Sequence, residues 1–151
     1  ELVRAFSQIR KRHPTATLTV VGCQPEINLD GCHVVGTVPL IKVGAYYNQA
    51  SLFCMPSQRE PFGIAFIEAS MNQLPIVATN VGAIPDIVVD GKSGLLVEPD
   101  DVQGLAATLD SLLSNPALCA TFGEYGHNYV RKKYTWKAVG ETMYHLIESA
   151  L

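Results

Sequence analysis

A short apolar run, a loop, a helical stretch and a second apolar run follow one another between Leu52 and Thr79, and few folds accommodate that succession. Leu52 to Met55 suits a buried parallel strand, closed by Pro56 and Ser57. Gln58 to Phe62 forms a loop, and Gly63 opens a helix whose expected apolar face is Ile64, Phe66, Ile67 and Met71. Pro75 then starts a second buried strand, Ile76 to Ala78. Two carboxylates, Glu60 and Glu68, bracket the loop and helix with seven residues between them. In an open α/β sheet, a loop that leaves the carboxyl end of a strand and feeds a helix N-terminus is where ligands dock.

The same alternation runs through the first two thirds of the chain. Leu2, Val3, Phe6 and Ile9 recur at helical spacing, and Arg10 to Arg12 fill a last turn stopped by His13-Pro14. Those three basic residues are read as a solvated face that suits the negative end of the helix dipole. Thr15 to Val21 is a β-branched strand ended by Gly22, and Val34 to Gly36 is a second, with Gly36 to Pro39 as its exit loop. A helix that feeds a parallel strand should itself follow a strand, so the chain reads as part of a longer protein with a first strand upstream of Glu1.

Leu40 to Ala50 is a short helix, and its Tyr46 and Tyr47 are expected to pack against the sheet rather than stack on a ligand base. Beyond Thr79 a second loop enters a short helix, Asp86 to Val89, and Asp90-Gly91 turns the chain towards a strand from Leu95 to Val97. Pro99-Asp100-Asp101 caps a helix from Val102 to Leu113, with Leu105, Leu109, Leu112 and Leu113 inward. Asn115-Pro116 starts another through about Lys132. Thr135 caps the last, Trp136 to Leu151, with an apolar stripe of Val139, Met143, Leu146, Ile147 and Ala150. The expected fold is α/β, a Rossmann-like three-layer arrangement with a mostly parallel sheet and a helical tail.

Composition removes several function classes. With 48% hydrophobic and 17% charged residues in 151, the chain is an ordinary globular domain. A formal charge of −3 offers no general attraction to nucleic acid or anionic lipid. No apolar run is long enough to span a membrane, and the start is an amphipathic helix rather than a secretion signal. Cys23, Cys32, Cys54 and Cys119 lack metal-site or disulfide-framework spacing, which points to a reducing, cytoplasmic setting.

The segment between the two glutamates carries the chemistry. The amides of Phe62, Gly63 and Ile64 open the helix without partners inside it, and unpaired donors with the helix dipole favour a phosphate. Gly63 has no side chain to hold such a ligand away. Glu68, in the second turn, is spaced to reach the same cleft, where a carboxylate accepts hydrogen bonds from two neighbouring hydroxyls of a ribose. Glu60 suits a sugar hydroxyl or a developing positive charge on a reacting carbon. A lone loop or helix glutamate is usually just solvated; only the combination carries weight.

Residues EPFGIAFIEAS, followed by LPIVATNVGAIPDIVVDGKSGLLVEPDD, closely resemble the C-terminal domain of the retaining family 4 glycosyltransferases, glycosyl transferases group 1. The resemblance extends from RAFSQIRKRHPTATLTVVG to KKYTWKAVGETMYHLIE. It implies the GT-B architecture, two Rossmann-like lobes facing across a cleft, with this chain as the donor-binding lobe. It implies transfer of a sugar from a nucleoside diphosphate sugar to an acceptor hydroxyl with retained configuration. Glu68 would hold the ribose hydroxyls. Glu60 would be the catalytic contact, acting with Pro61, Phe62, Gly63 and Ile64 on the donor sugar and diphosphate. Gly36, Thr37 and Val38 would touch the nucleobase, largely through main chain. No metal or other cofactor is implied, and the acceptor-binding domain would lie outside the chain.

Two departures accompany the resemblance. Gln73 stands where the family commonly has Gly, with consequences expected only for the helix end. The Arg and Lys that neutralise the diphosphate in the family are expected upstream of Glu1. Arg59 and Lys92 are the nearest cations by sequence and are not assigned that role, so the chain alone is expected to transfer nothing. The rival readings are a non-catalytic nucleotide-sugar-binding domain, a sugar-nucleotide epimerase, or another doubly wound domain. The last lacks support, because neither a G-x-G-x-x-G fingerprint nor a P-loop occurs.

Overall fold

The computed structural model describes residues 1–150 as five parallel strands and seven helices. In chain order these are α1 (Leu2–Ile9), β1 (Leu18–Val21), β2 (Cys32–Gly36), α2 (Leu40–Gln49), β3 (Phe53–Met55) and α3 (Ile64–Met71). Then come β4 (Ile76–Thr79), α4 (Ile84–Ile87), β5 (Gly94–Val97), α5 (Val102–Leu113), α6 (Pro116–Lys133) and α7 (Trp136–Ala150). The α/β class, the strand–helix alternation and the helical tail match the expectation from the sequence.

The three-stranded sheet, ordered β3-β4-β5, is the middle layer of the better-buried part. Strand β4 is fully enclosed, and its side chains divide by the two-residue period of a strand. Val77 points to one face and packs with Ala5 and Ile9 of α1 and Leu105, Leu109 and Leu112 of α5. Ile76 and Ala78 point to the other face, against Phe66 and Ala69 of α3 and Ile84 and Ile87 of α4. Helix α6 runs from one layer to the other, for its Phe122 joins the first cluster and its Val130 the second.

The helix starts follow the capping residues. Asp101 Oδ1 accepts the Gly104 N–H at 2.8 Å, Asn115 Oδ1 accepts the Leu118 N–H at 3.1 Å, and Thr135 Oγ1 accepts the Ala138 N–H at 3.2 Å. Helix α3 ends in a Schellman turn, with Leu74 N–H on the Ala69 carbonyl and Gln73 N–H on that of Ser70. Gln73 takes the left-handed position of that turn at φ 57°, a site that favours glycine.

Several expectations need correction. The parallel strands form two sheets rather than one: β1 pairs with β2, and among the described residues neither joins β3. Strands β1 and β2 begin later and earlier respectively than expected, because Pro14 and Thr15 still belong to a turn and pairing with Leu18 starts at Cys32. Helix α4 starts at Ile84, since Pro85 fits a first helical turn, where its missing N–H costs nothing. On α3 the buried residues are Phe66, Ala69 and Ser70, whereas Ile64 and Met71 face outward. The apolar stripe of α7 is half-buried only at Val139, and Met143, Leu146 and Ile147 are all more than half exposed; Leu151 lies outside the described residues. Arg10 and Arg12 are not simply solvated. Arg10 pairs with Asp30, and Arg12 with Asp110 of α5 at 2.5 Å, where His13 adds a contact at 2.9 Å.

Candidate functional site

Parallel strands place their exit loops at one end; the sequence-predicted site residues occupy two such loops and the start of α3, and a third loop, after β4, lies against one of them. Gly36 to Val38 follow β2, Ser57 to Gly63 follow β3, and Asn80 to Ala83 follow β4. The last two loops are fastened together. Thr79 Oγ1 donates to the Ser57 carbonyl at 2.6 Å, and the Ala83 N–H donates to the Glu60 carbonyl at 3.0 Å. Gly82, at φ 53°, lies so close that a Cβ there would sit 2.1 Å from the Glu60 carbonyl oxygen. The backbone of Glu60 is therefore held by a neighbouring loop, a contact the sequence reading missed; the glycine in Asn80-Val81-Gly82-Ala83 was its only trace.

Gly63 is the N-cap of α3 at φ 90°, with no side chain capping the helix. A Cβ at that position would meet Ile87 Cδ1 at 2.9 Å and Phe66 Cδ2 at 3.0 Å, so both backbone angle and packing require glycine. The first hydrogen bonds to the Gly63 carbonyl come from the N–H groups of Phe66 and Ile67. The amides of the first turn ahead of them are the donors a helix cannot satisfy itself. Glu60 sits half-buried beside this opening, its Oε1 accepting the Phe62 N–H at 3.4 Å. Pro61, Phe62 and Ile64 are exposed around it.

Glu68 is half-buried one turn further into α3. Its Oε2 accepts a hydrogen bond from the Tyr47 hydroxyl at 3.1 Å. Tyr47 packs against the sheet as expected, edge-on to Phe53 with ring centroids 5.8 Å apart, but its hydroxyl role was not foreseen. Burial raises the Tyr47 phenol above its ordinary value, and the Glu68 charge and hydrogen bond push it further the same way. The phenol thus remains a donor at neutral pH.

Gly36, Thr37 and Val38, the residues expected at a nucleobase, immediately precede α2, the helix that carries Tyr47. Gly36 is buried at φ 78° and covered by the Gln24 side chain, while Thr37 is exposed and Val38 half-buried. The two cations nearest in sequence make no ion pair among the described residues. Lys92 lies over the Tyr125 ring of α6, 6.0 Å from its centroid, and Arg59 is exposed. A depression of about 420 Å³ lies next door, lined by Asn80, Pro85, Val88, Asp90 and Glu98 among others, and includes neither Glu60 nor Glu68. No three His, Cys, Asp or Glu side chains cluster among the described residues, and no helix there is long and apolar enough to cross a membrane.

Known proteins share this fold. The chain is 29% identical, over 97% of its length, to a GDP-mannose-dependent alpha-(1-6)-phosphatidylinositol monomannoside mannosyltransferase of Mycolicibacterium smegmatis. It spans 43% of that relative's length, and 36% to 40% of several other curated relatives. Among solved structures it superposes on the C-terminal domain of a glycosyl transferase group 1 family protein from Francisella tularensis, with TM-score 0.79 and 26% identity. That match covers 89% of this chain and 78% of that one. The fold also matches Anabaena HepE, solved with UDP, at TM-score 0.84 and 19% identity over 98% of this chain and 44% of that one. The family profile described as "Glycosyl transferases group 1" matches residues 1–129, and the chain belongs to that family.

Proposed function

We propose that this chain is the donor-binding lobe of a retaining, family 4 GT-B glycosyltransferase. It moves a sugar from a nucleoside diphosphate sugar to an acceptor hydroxyl. The observation that carries the reading is the open start of α3 at the carboxyl end of β3, with Glu60 at its mouth and Glu68 one turn in. The amides of Gly63 and Ile64, for which the helix supplies no acceptor, suit the diphosphate, which gains from the helix dipole as well, whereas the Phe62 N–H is taken by Glu60. Glu68 accepts from the ribose hydroxyls. Glu60 and the backbone of Pro61 to Ile64 contact the donor sugar, and the Gly36 to Val38 loop takes the nucleobase.

In the reaction the bond between the anomeric carbon and the diphosphate oxygen breaks, and the acceptor oxygen bonds to that carbon on the same face. The acceptor proton passes to the leaving phosphate. In this reading the Glu60 carboxylate favours the positive charge growing on the sugar ring. The reading implies no metal, so the cations that offset the diphosphate come from outside this chain, together with the acceptor-binding lobe. The open face around Glu60 fits such a division, because a cleft between two lobes has only one wall in each.

Calorimetric titration of the full-length protein with uridine-, guanosine- and adenosine-diphosphate sugars tests the reading. Glu68→Ala is expected to weaken nucleotide binding by about 10- to 100-fold, the worth of hydrogen bonds to a charged group. Glu60→Ala lowers kcat more than it weakens binding. Equal donor affinity in the wild type and both variants contradicts it, and donor binding without any transfer favours a non-catalytic binding domain.

A further inference from the structure

The hydrogen bond between Tyr47 and Glu68 links residues 21 positions apart on different helices. The Tyr47 ring is already held by packing. It lies edge-on to Phe53 at 64°, and Phe53 lies edge-on to the fully buried Phe66 at 82° with centroids 5.7 Å apart. That aromatic row anchors α2 to β3 and α3, and it sets the phenol oxygen in one place. From there the hydroxyl reaches Glu68 Oε2 at 3.1 Å, with the Ala65 carbonyl next nearest at 3.5 Å. A glutamate has three rotatable side-chain bonds, and holding its carboxylate in one plane costs rotamer entropy. A fixed donor on one oxygen meets that cost before any ligand arrives. It leaves Oε1 and the second lone pair of Oε2 as acceptors.

We infer that Tyr47 is a positioning residue for sugar-diol recognition: its hydroxyl presets the Glu68 carboxylate so that a vicinal diol, such as that of a nucleotide ribose, meets an already oriented pair of acceptors. The inference rests on the reading that Glu68 receives the ribose. Tyr47 touches no ligand in this scheme and acts only through Glu68. The raised phenol value agrees, since the hydroxyl keeps its proton throughout the neutral range.

The test compares a nucleoside diphosphate with its 2′-deoxy counterpart on the full-length protein, in the wild type, Tyr47→Phe, Glu68→Ala and the double variant. Phenylalanine keeps the ring contacts and removes only the donor. Tyr47→Phe is expected to weaken the ribonucleotide by about 3- to 10-fold and the deoxynucleotide less, so that ribose discrimination narrows. In the Glu68→Ala background the same change is expected to have no further effect, the signature of two residues acting as one unit. Equal weakening of both nucleotides by Tyr47→Phe, or additive losses in the double variant, overturns the inference and leaves a structural tyrosine. Undiminished ribose discrimination in Glu68→Ala instead overturns the ribose reading itself. Should Tyr47→Phe fail to fold, a crystal structure of the unliganded wild type decides: a Glu68 carboxylate turned off the Tyr47 hydroxyl refutes the proposal.

Discussion

Gly82→Ala probes how the Glu60 loop is held. At φ 53° an alanine takes the left-handed region at a cost of about 1–2 kcal/mol. Its Cβ would stand 2.1 Å from the Glu60 carbonyl oxygen, far inside contact distance, so one of the two loops must move. Such a movement stretches the 3.0 Å bond from Ala83 N–H to that same oxygen, worth a further ~0.5–1.5 kcal/mol. Against this, alanine restricts the unfolded chain and returns roughly 0.5 kcal/mol. The net loss is about 1–3 kcal/mol, or a melting point lower by roughly 2–12 °C for a domain of this size. Thermal and urea denaturation of the full-length protein measure the loss, and donor titration on the folded variant measures the displacement of Glu60. Gly94→Ala is the control. Its Cβ would stand 2.1 Å from the Ile76 carbonyl, between β4 and β5, so it destabilises without touching the Glu60 loop. The account expects Gly82→Ala to weaken donor use beyond its effect on stability, and Gly94→Ala to leave the affinity of folded molecules unchanged. A Gly82→Ala protein of wild-type stability and wild-type turnover refutes the reasoning.

Two further outcomes follow from the structure. Gln73→Gly relieves the left-handed φ of 57° in the Schellman turn and is expected to stabilise the protein by about 0.5–1 kcal/mol, read as a raised urea midpoint; a lower midpoint contradicts it. Asp110 is held below its ordinary value of 3.8 by hydrogen bonds from His13 and then Arg12, so its contribution is complete above that value and lost as pH falls through the lower folded one. Asp110→Asn should therefore be less stable than wild type at neutral pH, with the gap closing as pH falls below the ordinary carboxylate value, and a gap independent of pH counts against the pairing.

Much of the fold was legible because its punctuation is local. Pro56, Gly63, Pro75 and Asp90-Gly91 mark ends that depend on a few neighbours, and the caps Asp101, Asn115 and Thr135 act within three residues of themselves. Faces were harder to read. Helix α3 is apolar nearly all round, so periodicity could not tell that Ala69 and Ser70 go inward while Ile64 and Met71 do not. The stripe on α7 has a clear period, but a period does not reveal whether anything covers it. Within the site, the glutamate pair and the helix start were visible as a short motif. The supports were not: Tyr47 reaches Glu68 across 21 positions, and Ala83 reaches Glu60 across 23. Both contacts depend on how strands are placed side by side, which no local pattern encodes.

A crystal structure of the full-length protein with an intact nucleoside diphosphate sugar bears most directly on the site. The account predicts diphosphate oxygens within hydrogen-bonding distance of the amides at the start of α3, ribose hydroxyls on Glu68 and the sugar against Glu60. A donor seated instead in the depression beside Asn80, Val88 and Glu98, with Glu68 bonded only to Tyr47, contradicts it.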